Sequence, residues 1–136
     1  MKSSISVPSE KRNLQLIRKF ILDLLKERHL PEIDVHSMVL AVDEVCANLI
    51  IHSKNSTSEH SIEVDVIISG QNKIVFEIID KGQGFDIRKY NEPDIKEIIK
   101  QKRKGGVGLM LVKRIMDEVD LIDRKDYHIV RLTKNL

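Results

Sequence analysis

Two alternating runs joined by a tight turn restrict this chain more than any other feature in it. Ile62, Val64, Val66 and Ile68 alternate with Glu63, Asp65 and Ile67, the period of a strand with one buried face. Gly70-Gln71-Asn72 is a turn. Ile74 to Ile79 is apolar except for Glu77 and reads as a second strand. The two pair as a hairpin, and a hairpin needs further layers to bury its apolar face.

Those layers are written upstream and downstream. Leu14, Ile17, Ile21, Leu24 and Leu25 recur at helical spacing. Ser9 is the expected N-cap, and Pro31 predicts a stop near His29-Leu30. A second helix is expected from about Glu32 to His52, with Val35, Met38, Val39, Val42, Cys46, Leu49 and Ile50 on its apolar face. Gly105-Gly106-Val107-Gly108 opens a third, carrying Leu109, Val112, Ile115 and Met116 on one side. Ser3 to Val7 reads as a short strand ended by Pro8, and Val119–Ile122 with Tyr127–Leu132 as a final hairpin. Between Gly84 and Gly105 lies a polar region with a weak helical pattern at Ile95, Ile98 and Ile99. The order β-α-α-β-β-loop-α-β-β predicts an α/β (α+β) two-layer sandwich, with a mixed, mostly antiparallel sheet and helices on one face.

Composition narrows the function classes. The 136 residues suit one domain. Aromatics are few, so the core is expected to be aliphatic. Lys and Arg number 23 against 21 Asp and Glu, a balance that gives no support to a nucleic-acid platform. The lone cysteine, Cys46, excludes an internal disulfide framework and suits a reducing cytosol. Met1 to Glu10 has no apolar run of signal-peptide length, and no stretch approaches the length of a transmembrane helix. The expectation is a soluble, cytoplasmic protein without direct contact to nucleic acid or membrane.

Three segments carry chemistry. Glu44, Asn48 and His52 are spaced i, i+4, i+8 and share a helix face. A solvated face would look the same, but a carboxylate one turn from a carboxamide also suits a metal-nucleotide site. Asn offers a neutral oxygen to Mg²⁺, and Glu can take a proton from an attacking hydroxyl. Asp80 closes an apolar strand and is followed by Gly82 and Gly84. A plain turn would also read this way; equally, Asp80 could accept from the exocyclic amino group of adenine while the glycines let backbone approach a ligand. Gly106-Val107-Gly108 enters a helix, where free N–H groups and the helix dipole attract anions. Lys100, Lys102, Arg103 and Lys104 precede it and can close over phosphates. His29, His36, His60 and His128 lack metal-ligand spacing and are expected to be structural or surface residues. Cys46, among aliphatic neighbours, is expected to be a buried, inert thiol.

In order and spacing these segments resemble the GHKL superfamily of ATP-binding domains, the Bergerat fold. Glu44 through His52 stands where that superfamily has its N box, Asp80 through Gly84 matches its first glycine box, and Gly106 through Leu109 its second. Within it, Ala41 to His52 and Gly108 to Val119 are similar to segments of the anti-sigma factor serine/threonine-protein kinases. Where that family has a Gly-Thr turn before the last strand, this chain has Asp126-Tyr127-His128.

The resemblance implies one kinase domain over residues 1–136, with a lid at about 85–104. It implies ATP and Mg²⁺ as cofactors. Asp80 would receive the adenine amino group, Gly82 and Gly84 would shape the base pocket, and Asn48 would be the metal ligand. Lys104, Gly105, Gly106, Val107, Gly108 and Leu109 would gather around the phosphates. Glu44 would be the catalytic base toward a serine or threonine of an anti-anti-sigma (STAS-type) protein, and the chain would sequester a sigma factor. Homodimers are common in the family and are an expectation here. Two alternatives stay open: a non-catalytic, ATP-binding partner switch, and the ATPase domain of a sensor histidine kinase, for which His29-Leu30-Pro31 is a faint echo.

Overall fold

The computed structural model describes residues 1–52, 60–70, 72–81, 107–124 and 127–136. Five strands form one sheet: β1 (Lys2–Pro8), β2 (Ser61–Ser69), β3 (Lys73–Lys81), β4 (Glu118–Asp123) and β5 (His128–Asn135). Among the described residues three helices accompany them: α1 (Leu14–Lys26), α2 (Glu32–His52) and α3 (Val107–Ile115). The spatial order is β1-β2-β3-β5-β4, and all four pairings are antiparallel. The α+β sandwich read from the sequence is the architecture observed. β3 and β4 run parallel, but β5 lies between them, so no parallel ladder forms.

Alternation in the strands decides which side is covered. Ile62, Val64, Val66 and Ile68 of β2, Ile74, Phe76 and Ile78 of β3, and Leu132 of β5 enter one core with the helices. α1 contributes Leu14, Ile17, Ile21 and Leu25, one per turn on a single stripe. α2 contributes Val35, Met38, Val42, Cys46 and Ile50, and α3 contributes Val112. α2 is the central helix, packing against α1, α3 and β3. Val39 and Leu49 sit at the edge of this core, partly buried. The other sheet face carries a polar row in register, Ser4, Asp65, Glu77, Arg131 and Asp120. Arg131 donates twice to Glu77 Oε2, at 3.1 and 2.9 Å, and Lys2 Nζ lies 3.4 Å from Asp65.

The start of α1 differs from expectation. A 3-10 turn, Lys11–Asn13, precedes the helix, and Ser9 does not cap it. The Ser9 N–H instead donates to the His60 carbonyl at 3.0 Å, closing the β1–β2 pair. Asn13 spends its side chain on the Pro8 carbonyl at 2.8 Å. α1 ends at Lys26, and His29 reverses the chain with φ 56° before Pro31. The turn of the central hairpin has Gly70 at φ 65°, a conformation glycine adopts without penalty.

Candidate nucleotide site

The apolar alternation of three neighbouring strands ends in polar residues on the core-facing side. Along β3, Ile74, Phe76 and Ile78 are followed at the same parity by Asp80. Along β5, Leu132 is preceded by Val130 and then His128. Ahead of β2, His60 stands two residues before Ile62. The register brings these ends together, because Asp80 pairs with Ile62 on one side and with His128 on the other. His60, Asp80 and His128 are all buried.

Asp80 is the centre of this group. Its side chain is 2% exposed, and its Oδ1 contacts Nε2 of His60. Both of its oxygens are buried with no hydrogen-bond partner among the described residues, and Oδ2 is the one not set against His60. A buried carboxylate oxygen without a donor is costly, so this atom suits a ligand that brings an N–H. The exocyclic amino group of adenine has that character. The residues therefore fit a nucleotide base on this observation.

Glu44 and Asn48 lie one turn apart on α2, both half-buried, and α2 packs against β3. His52 is the last residue of α2. Asn48 brings one neutral carboxamide oxygen, the type of ligand Mg²⁺ takes beside water and phosphate. No cluster of three or more His, Cys, Asp or Glu side chains able to hold a metal occurs among the described residues. α3 begins at Val107, so Val107, Gly108 and Leu109 form its first turn, where helical N–H groups have no intrahelical acceptor. Gly82, Gly84, Lys104, Gly105 and Gly106, with Lys100, Lys102, Arg103 and the 85–104 lid, lie outside the described residues.

His60 and His128, expected to be structural or surface residues, are both buried beside Asp80, a neighbourhood the sequence reading does not name. A signal was present: each sits at the inward parity of its strand, just past the apolar run. Cys46 is buried as expected, and burial, with Asp43 nearby, pushes its thiol far above the ordinary range.

The family model of the histidine kinase-like ATPase domain matches residues 7–134. Among characterised relatives, the serine-protein kinase RsbW of Staphylococcus aureus (strain bovine RF122 / ET3-1) is 30% identical over 120 residues, covering 83% of this chain and 74% of that protein. The serine-protein kinase RsbW of Bacillus thuringiensis (strain Al Hakam) is 23% identical over 126 residues, covering 89% and 77%. Two solved structures share the fold. The RsbU and RsbW domains of a Mycobacterium tuberculosis protein give a TM-score of 0.70 at 18% identity, with 98% of this chain aligned to 32% of that one. The SiaB-SiaC complex from Pseudomonas aeruginosa gives 0.66 at 13% identity, with 98% aligned to 89%.

Proposed function

This chain belongs to the histidine kinase-like ATPase domain family, and from that premise we propose that it is an ATP- and Mg²⁺-dependent serine/threonine-protein kinase acting as an anti-sigma factor. Its substrate is an anti-anti-sigma protein of the STAS type, and its second partner is a sigma factor. Residues 1–136 act as one kinase domain. The observation that carries the reading is the buried Asp80 carboxylate, whose Oδ2 has no donor among the described residues. The names of the S. aureus and B. thuringiensis relatives support the serine-kinase assignment.

In this reading Asp80 accepts from the adenine amino group, and Gly82 and Gly84 leave room for the base. The Asn48 carboxamide oxygen ligates Mg²⁺. Backbone N–H groups from Gly106 to Leu109, at the positive end of α3, point to phosphate oxygens, and Lys104 adds positive charge. The bound nucleotide and metal supply the transferable phosphoryl group and neutralise its charge. Glu44 takes the proton of the attacking hydroxyl, so the new P–O bond forms as the bond to the leaving ADP oxygen breaks. Phosphoryl transfer depends mainly on positioning and charge neutralisation, so one carboxylate base suffices from the protein.

Incubation with γ-labelled ATP and a STAS-type anti-anti-sigma protein tests the assignment. The kinase reading expects label on a serine or threonine of that protein. Binding of the partner in ATP without label would instead favour a non-catalytic switch.

A further inference from the structure

We infer that His60 is a positioning residue for base recognition: it holds one oxygen of Asp80 so that the other reads the 6-amino group of the purine. The inference rests on the nucleotide reading of this site and deepens it. Nε2 of His60 lies against Oδ1 of Asp80; an Nε2–H there would donate to that oxygen, whereas an Nε2 lone pair would be repelled by it. Nδ1 of the same ring is buried with no partner among the described residues. The His60 side chain is 4% exposed, and its backbone is fixed at the start of β2 by the 3.0 Å bond from Ser9 to its carbonyl.

The physical consequence concerns rotation. The terminal torsion of an aspartate is broad and twofold, so a carboxylate held by nothing presents either oxygen over a range of angles. A donor on His60 that holds Oδ1 leaves Oδ2 as the acceptor over a narrower range of angles. An acceptor at that position rewards a 6-amino purine. It opposes a 6-oxo purine, which offers another acceptor. A site built around a hydrogen bond rejects analogues that lack it far better than an apolar pocket does. Removing His60 therefore weakens the bond that only the amino purine makes, and leaves the 6-oxo purine where it was.

The test compares ATP with inosine triphosphate, whose base has oxygen at position 6, on intact protein by calorimetric titration with Mg²⁺ present. Wild type is expected to favour ATP by roughly tenfold or more. His60→Ala is expected to lose about tenfold in ATP affinity with inosine triphosphate changed less than about twofold, so selectivity collapses. His60→Gln, which can place an N–H near the position of Nε2, is expected to keep most of the selectivity. If His60→Ala does not unfold cooperatively, His60→Asn, whose amide falls short of Nε2, replaces it with the same expectation. Equal weakening of both nucleotides, or unchanged ATP affinity, would overturn the role of His60 while leaving the nucleotide site standing. Absence of ATP binding by wild type would overturn the parent reading, and the inference with it.

Discussion

Arg18 on α1 donates from Nε to Oδ1 of Asp43 on α2 at 2.6 Å, one residue before Glu44. The bond ties the outer helix to the central one at the level of the proposed catalytic base. Arg18 is half exposed, while Asp43 is mostly covered. Arg18→Ala is expected to lower unfolding free energy by about 0.5–1 kcal/mol. Urea titration should move the midpoint down with an unchanged slope, and the difference should shrink in high salt.

Glu44→Gln keeps the size of the side chain and removes its basicity. Phosphate transfer to the partner protein is expected to fall by about 10²–10⁴-fold, the usual range for a general base. ATP affinity should change little, since Glu44 has no assigned contact with the nucleotide. Single-turnover transfer and equilibrium binding, measured on the same preparation, separate the two effects. Wild-type transfer rates in this variant would remove Glu44 from the role.

Much of the architecture is legible in the sequence because single residues announce it. α2 runs from Glu32 to His52, as its apolar stripe predicts, and the central hairpin turns at Gly70. Strand order is less accessible. Alternation reveals that β5 has a buried face but not that it inserts between β3 and β4, which is set by long-range pairing. The same limit hides the site. His60, Asp80 and His128 are 20 and 48 residues apart along the chain, and only the register of three strands brings them side by side. Asp80 is readable from its glycine neighbours; the two histidines carry no such local mark. Ser9 misleads because a capping residue also serves as a strand terminator, which is how it is used here.

Cys46 gives a pH signature. Burial, reinforced by the charge of Asp43, raises its folded-state pKa well above the unfolded value, about 8.5 for an exposed thiol. Above that pH the unfolded chain releases a proton that the folded chain retains. The contribution is therefore fully present below about pH 8.5 and declines as pH rises, by about 1.4 kcal/mol per unit. Unfolding free energies measured at pH 8, 9 and 10 should show this slope in the wild type and lose it in Cys46→Ala. The native thiol should also resist Ellman's reagent at pH 8.5 and react once unfolded.

Gly70 has φ 65° and nothing within 4 Å of where a Cβ would stand. Space is therefore no obstacle, and the cost of a side chain there is conformational alone. Gly70→Ala is expected to destabilise by about 1–2 kcal/mol, with ATP affinity untouched, because the turn lies at the opposite end of β3 from Asp80. Thermal unfolding with and without ATP reads both quantities.

The most direct measurement is titration of ATP with Mg²⁺ into the intact protein beside Asp80→Asn. The asparagine keeps the carboxylate's shape, but with its oxygen accepting from His60 it turns an NH₂ toward the adenine amino group, donor against donor. Saturable binding by wild type is expected, weakened at least about tenfold by the substitution with the fold intact. Wild type that binds no ATP, or Asp80→Asn that binds it equally well, would contradict the assignment of this strand end as the seat of the base.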